Sequence, residues 1–389
     1  MKDLEVEELE KEERQPGLEH LDRLLNSSAR SVGGPSNLGN QPIKVDFDAL
    51  KEFTTLFFEK LGWSRPEASG AAEILVTSDV RNIESHGVPR LEMYLNMARS
   101  GTARPNAPFS IERETLSTAL VDAGGGLGMV VGRRAMEMAI QKANLAGIGM
   151  VTVKNSSHFG IAGYYAEMAL KHDMIGMAMT QSNPVGVPTN GRVPMLGSNP
   201  LALAAPTNEE YPFLLDMATT SVALGKVEIA ARMELPVPEG WGLDKNGQPT
   251  TDPLTILQER TLTPLGSTSI LSSHKGYGLQ VMVDILCGVL SGMGHSFKVG
   301  PLQAGHFFCA MQVEAFRPIA EFRAEMDEMI RDLRATPPVS GAARVYVAGE
   351  KEYMAEKENL VKGVPLHPKV LFQLKQLSQE LDIPFPFNA

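Results

Sequence analysis

The sequence predicts a mixed α/β chain, of the α+β kind, in which a small helical unit accompanies a sheet that is not purely parallel. Three observations carry that expectation. Residues 43 to about 100 place apolar side chains at helical spacing. From Ala119 onward, short apolar strands alternate with turns. Two of the turns are hairpin signals: Thr207-Asn208-Glu209-Glu210 between Leu201–Ala205 and Phe213–Asp216, and Asn246-Gly247 between Leu243 and Pro249. Antiparallel pairs amid helices argue against a doubly wound parallel sheet.

Taken in order, residues 1 to about 42 read as a mobile acidic tail. Lys2 to Arg14 is dominated by glutamate and lacks the apolar run of a targeting signal. Leu18–Leu25 can form a short helix, and Ser31–Asn37 has linker composition. Asp46 then caps a helix with Phe47, Leu50, Phe53, Phe57 and Leu61 on one face, and Gly62 ends it. A second helix runs from Pro66 to about Asn82, and a third turns Leu91, Tyr94 and Leu95 inward. Ala119–Asp122 is strand-like, followed by a glycine cluster and a helix from about Gly132 to Leu145. Gly147–Val153 and Ile175–Thr180 are strands on either side of a helix at about Ala162–Lys171. Gly276–Gly292 reads as a buried apolar helix. Helices return at about Glu321–Arg334, Tyr353–Val361 and Pro368–Leu381. The expected division is a helical segment over 43–118, a sheet domain over 119–299 and a C-terminal helical segment over 300–389 that packs on the first.

A chain of 389 residues, 43% of them hydrophobic, can bury a substantial core. No apolar run is long enough to span a membrane. The net charge of −10 argues against nucleic-acid or anionic-membrane partners, so an anionic ligand needs a local clamp. Cys287 and Cys309 are the only cysteines, both in apolar surroundings. That argues against a disulfide scaffold or a cysteine metal site and fits the cytosol. No metal centre is expected.

Two segments concentrate the chemistry: Ser85-His86-Gly87-Val88-Pro89-Arg90 and Asn155-Ser156-Ser157-His158-Phe159-Gly160. Histidine titrates near neutral pH, and arginine grips a carboxylate through paired hydrogen bonds. Together they form a minimal kit for oxidising a hydroxy acid. On a helix His86 and Arg90 share a face, though alone they equally describe a surface helix start. His158 follows an apolar strand, where ligands collect, although a buried structural histidine is the commoner case. Asp216, in Asp216-Met217-Ala218-Thr219, ends a strand and can hold a ribose hydroxyl pair or cap a turn. Lys275 and Gly276 open a helix, a plausible phosphate site or a solvated helix start. The cluster from Gly124 to Gly132 follows a strand but reads G-x-G-x-x-x-G, and no ribose-binding acid ends the next strand. It is better read as a glycine-rich turn starting a helix. His306, beside Phe307 and Phe308, reads as structural.

Taken together, Ser-His-Gly-x-x-Arg-Leu (85–91), Asn-Ser-x-His-Phe-Gly (155–160), Gly-Ser-Asn-Pro (197–200) and Asp-Met-Ala-Thr (216–219) form an ordered series. Asp-Lys-Asn-Gly-x-Pro-Thr-Thr-Asp-Pro (244–253) and Lys-Gly-Tyr-Gly-Leu (275–279) complete it. Over about residues 43–385 the chain resembles the malate/L-lactate dehydrogenase-like oxidoreductases. The resemblance implies a non-Rossmann, mostly antiparallel NAD(P)-binding sheet wrapped by helices, and a homodimer. It implies a small 2-hydroxy or 2-oxo acid as substrate, with NAD or NADP as cofactor. By motif it implies His158 as proton acceptor and His86, Arg90 and Ser85 on the substrate side; the two histidine roles are interchangeable at this level. It implies cofactor contacts at Ser182, Asp216, Met217, Ala218, Lys275 and Gly276, and at a late loop, Gly349, Glu350 and Lys351. A cyclic imine-acid reductase of the same family and a catalytically silent dinucleotide-binding protein are the alternatives. The acidic tail lies outside the family pattern. The stretch from Gly292 to Gly305 is short where relatives can shape the substrate pocket.

Overall fold

A seven-stranded mixed sheet organises the chain, and its strand ends place most of the residues singled out above. The computed structural model describes residues 41–387. The expected acidic tail and the Leu18–Leu25 helix lie outside the described residues.

The chain opens with β1 (Ile43–Val45), α1 (Phe47–Lys60), α2 (Arg65–Val80) and α3 (Leu91–Ser100). Asp46 accepts the Ala49 N–H at 2.8 Å and so starts α1 where the sequence places it. Leu50, Phe53, Phe57 and Phe58 of α1 and Leu91, Tyr94 and Leu95 of α3 are buried. The chain then forms β2 (Ser110–Glu114), β3 (Thr118–Asp122), α4 (Gly128–Ala146), β4 (Ile148–Ser157), α5 (Ala162–Met168) and β5 (Met174–Thr180). Next come β6 (Leu201–Ala205), β7 (Phe213–Met217), α6 (Leu224–Arg232), β8 (Gly242–Leu243), β9 (Pro249–Thr250), α7 (Pro253–Glu259) and α8 (Ser273–Asp284). β10 (Gln303–Gln312), α9 (Ile319–Ala335), α10 (Glu350–Lys362), β11 (Val364–Leu366) and α11 (Pro368–Leu381) complete the described chain.

Strand order in the main sheet is β2-β3-β4-β10-β5-β6-β7, and β3–β4 is its only parallel pair. The mixed α/β, mostly antiparallel architecture expected from the sequence is therefore present. Both hairpin signals form: β6 pairs with β7, and β8 with β9 around Asn246-Gly247. Gly247 takes a φ of 79° there, as such a turn requires.

Three expectations need correction. Residues 303–312 do not open a helical segment; they form β10, the central strand, between β4 and β5. Ala304 to Ala310 of this strand is buried without a break, and a strand buried on both faces has no alternation to reveal it. Residues 110–114, expected among the helices, form the edge strand β2, fully exposed and therefore without an apolar signature. The helix expected at Gly276–Gly292 starts at Ser273 and ends in a π turn at Ile285–Val289. It buries one face only: Val283 and Cys287 pack on Met179, Phe307 and Cys309, while Ile285, Val289 and Leu290 stay exposed.

One hydrophobic core joins the N-terminal helices, α4, α5, one face of the sheet, β11 and α11. The C-terminal segment does return to the N-terminal one. β11 pairs with β1, α10 touches α2, and α11 touches α1. A satellite core of Val185, Val222, Val227, Val237, Ile256 and Leu262 lies under α6 and α7.

Candidate active site

Strands β3, β4, β5 and β7 run in the same direction, so their C-terminal ends open on one edge of the sheet. His158 follows β4, Ser182 follows β5, and Asp216 to Ala218 end β7. Ligands gather at such edges because several strands can each supply one side chain.

His158 is aimed by the end of β4. Asn155 adopts φ 53° beside a bulge in the β4–β10 pairing, and its Nδ2 donates to Asp122 at 3.0 Å. Ser157 Oγ accepts the Gly128 N–H at 3.0 Å and donates to Gly126 O at 3.1 Å. A Cβ at Gly128 would lie 2.0 Å from Ser157 O, so only glycine allows α4 to start against this strand end. The glycine cluster is thus the turn that buttresses His158, and its helix begins at Gly128 rather than Gly132. Beyond it, Phe159 stacks on His306 at 4.7 Å, and Tyr165 donates to Phe159 O. His306 itself is wholly buried, bridging Thr180 Oγ1 and Ser156 Oγ at 2.8 Å each. Its structural reading fits these contacts.

His86 and Arg90 sit on two successive 3₁₀ turns, Glu84–His86 and Val88–Arg90. Asp79 holds this segment by accepting the Val88 N–H at 2.8 Å. Gly87 passes so close that a Cβ would meet Asp79 Oδ1 at 1.8 Å. Ser85 Oγ lies 2.8 Å from His86 Nδ1. The structure brings both histidines together: their rings stack at 5.7 Å with 17° between planes. Tyr94 Oη completes the group, 2.7 Å from His158 Nδ1. Sequence reasoning assigned Tyr94 to the core alone. The available signal is its spacing, one helical turn beyond Arg90, with a polar tip on a buried ring.

These contacts make the two imidazoles neutral. Loss of water on burial, then the Arg90 charge, brings His86 down to about 4. Burial, followed by His86 and Arg90, holds His158 well below its ordinary value. Burial raises the Tyr94 phenol, so its proton stays on. Arg90 is not an open fork. Its Nε donates to Ser85 O at 2.7 Å and one terminal nitrogen pairs with Glu228 of α6 at 2.6 Å. Only Nη1 lacks a partner among the described residues.

The remaining candidates flank β7. Asp216 is exposed, and one of its oxygens accepts the Gly163 N–H at 2.7 Å. Gly163 lies in the first turn of α5, just beyond His158, so Asp216 borders the histidine segment. Gly349 takes φ 87° and presses on Leu214, where a Cβ would meet side chain and backbone at 2.8–3.1 Å. The late loop therefore lies along β7. Glu350 is buried and bound by Arg334, Arg344 and the Val347 N–H, whereas Lys351 lies exposed over Tyr346 at 4.7 Å. Ser182 Oγ accepts the Ser198 N–H at 3.2 Å. Thr219 donates to Ser198 O and accepts the Leu265 N–H, and Gly276 packs so closely on Leu265 that a Cβ would lie 2.4 Å from its backbone. Met217 and Ala218 thus link Asp216 to the Ser182 and Gly276 contacts. Lys275 is exposed on the first turn of α8. An exposed carboxylate with one free oxygen and a lysine at a helix start are groups that fit a dinucleotide. Among the described residues no three or more His, Cys, Asp or Glu side chains gather to hold a metal ion, and no helix is long and apolar enough to cross a membrane.

Comparison with known proteins identifies the family. Residues 45–375 match the malate/L-lactate dehydrogenase family. The chain is 41% identical to a malate dehydrogenase of Pyrococcus abyssi over 347 residues, covering 88% of this chain and 96% of that protein. It is 31% identical to an NAD(+) ureidoglycolate dehydrogenase of Escherichia coli over 332 residues, covering 83% and 93%. Among solved structures, malate dehydrogenase of Pyrococcus horikoshii superposes with a TM-score of 0.83 at 37% identity, covering 90% of this chain and 99% of that one.

Proposed function

The chain belongs to the malate/L-lactate dehydrogenase family and is an oxidoreductase acting on CH–OH groups, a 2-hydroxyacid dehydrogenase, and we propose that it interconverts a small 2-hydroxy acid such as malate, lactate or sulfolactate with its 2-oxo acid. The observation that carries the reading is the stacked, neutral His86–His158 pair with Tyr94 on one side and Arg90 on the other. A nicotinamide, when bound, supplies the hydride acceptor.

The residues of this chain do the rest. Arg90 Nη1 meets the C1 carboxylate. His158, neutral before reaction, takes the hydroxyl proton on Nε2. The imidazolium so formed donates its Nδ1–H to Tyr94 Oη, which stays a neutral phenol and accepts through its oxygen. His86, oriented by Ser85 Oγ, donates toward the oxygen that becomes the carbonyl. A well-placed base of this kind contributes about 10²- to 10⁴-fold. Ser182, Asp216, Met217, Ala218, Lys275, Gly276, Gly349, Glu350 and Lys351 would hold the cofactor. Asp216 favours NAD, because a carboxylate accepts from two ribose hydroxyls and repels a 2′-phosphate. The exposed apolar face of Ile285, Val289 and Leu290 supports a homodimer. The free, buried thiols of Cys287 and Cys309 support a cytosolic site.

A spectrophotometric screen tests the reading. Purified protein meets NADH or NADPH with oxaloacetate, pyruvate, sulfopyruvate or a cyclic imine acid. Oxidation of NADH with a 2-oxo acid is expected. Turnover of the imine alone would move the protein to imine reduction, and cofactor binding with no turnover would leave a silent binding protein.

A further inference from the structure

Arg90 is anchored in one hydrophobic core and its ion-pair partner in another. Val88 and Leu91, which flank Arg90, are buried in the main core. Glu228 stands on α6 beside Val227, which is buried in the satellite core with Ile256 and Leu262. The pair therefore bridges the two cores. Its side chains are 15% and 13% exposed, so water screens it less than a surface pair.

Two contacts seat α6 against the site. Near its start, Gly225 lies on the Ser85–Arg90 segment, where a Cβ would meet Ser85 Cβ at 2.6 Å and Arg90 Nη2 at 2.7 Å. At its end, Lys369 Nζ of α11 donates to Arg232 O at 3.1 Å. Glu228 lies between these two contacts.

The consequence falls on the Arg90 guanidinium, which is a rigid plane. Nε donates to Ser85 O at 2.7 Å, and Nη2 pairs with Glu228 at 2.6 Å. Two anchors on separate nitrogens fix the plane and its orientation. The N–H bonds of Nη1 then point in a set direction, and little side-chain freedom is left to lose when a carboxylate meets them. Without Glu228 the guanidinium keeps one anchor and can swing about it.

We infer that Glu228 is a positioning residue for Arg90, supplied by α6 from the satellite core, and that it acts on the substrate only through the guanidinium. The inference rests on the dehydrogenase reading above. The same contact could serve the opposite role, a competitor that the substrate carboxylate must displace from Arg90. The geometry favours positioning, because Nη1 stays open among the described residues while Glu228 is in place.

The test measures kcat and KM for the 2-oxo acid that the unaltered protein turns over, with NADH affinity followed by titration. Glu228→Ala should raise KM about 10- to 100-fold, the range for losing a hydrogen bond between charged groups, with kcat and NADH affinity little changed. Glu228→Gln, whose amide oxygen can accept the same bond, should recover most of that loss. Gly225→Ala, which sets a methyl against Nη2, should raise KM in the same way and serves if Glu228→Ala does not fold. In an Arg90→Met background both effects should largely vanish, which a merely structural role would not produce. An unchanged KM, or the same loss with and without Arg90, would overturn the inference. A lowered KM in Glu228→Ala would also overturn it and assign the competitor role. All three results leave the dehydrogenase reading standing. No turnover of any 2-oxo acid by the unaltered protein would instead remove the reading on which it rests.

Discussion

His158 works in a site where burial and the positive groups around it disfavour its charged form. Burial, His86 and Arg90 all push the same way, so the ring is a free base well below pH 6.5. Oxidation of the hydroxy acid should therefore hold its kcat/KM plateau to a pH below the ordinary histidine range. Arg90→Met removes one of the repelling charges, so the acid limb of that profile should move to higher pH; an unmoved limb would assign it to another group. Tyr94 Oη accepts the Nδ1–H in the tautomer that leaves His158 Nε2 free to take a proton, and that bond strengthens when His158 becomes charged. Tyr94→Phe should lower kcat/KM about 10-fold or more while cofactor affinity, followed by titration of bound NADH, is unchanged. At this scale the sequence displayed the reactive groups and hid their supports. His86, Arg90 and His158 stand out beside small residues, but Tyr94 meets His158 across 64 positions and Glu228 reaches Arg90 from another helix. Such partnerships are created by folding, and no local pattern announces them.

Among the elements, α4 and β10 decide whether the His158 segment is in place. Gly128→Ala sets a methyl 2.0 Å from a backbone oxygen that cannot swing aside. It should cost about 3 kcal/mol, the upper range for overpacking, and lower both the thermal midpoint and turnover. On β10, His306 is buried and brought down to about 3 by loss of water, so folding keeps it neutral. The unfolded chain binds a proton there below about pH 6.5 and the folded chain does not. Stability from this group is therefore complete above that pH and is lost as pH falls toward 3. The thermal midpoint should drop between pH 7 and pH 5, and His306→Gln should flatten that drop. The amphipathic helices and both hairpins were legible because each exposes one face. β10 was not, because burial on both faces erases the period, and β2 was not, because exposure on both faces does the same.

Over the whole molecule, Arg81 joins the segments that carry the site. It pairs with Glu167 of α5 at 2.9 Å and Glu356 of α10 at 2.8 Å, and lies over Tyr353 at 5.0 Å. α2 leads to the His86 segment, α5 follows His158, and α10 follows Gly349 and begins with Glu350 and Lys351. Arg81→Met strands two carboxylates that retain some contact with water, so it should cost on the order of 3 kcal/mol, somewhat less than a fully buried pair. It should also weaken cofactor binding, because α10 carries the late loop. The general architecture was legible from the order of motifs, whereas the division at residue 299 was not, since the central strand is supplied from beyond it. The most direct measurement is of His158→Ala, assayed with the acid that the unaltered protein turns over and titrated with cofactor in parallel. A proton acceptor at this position predicts a loss of turnover of about 10²- to 10⁴-fold with cofactor affinity unchanged. Retained turnover, or turnover and cofactor affinity falling together, would contradict it.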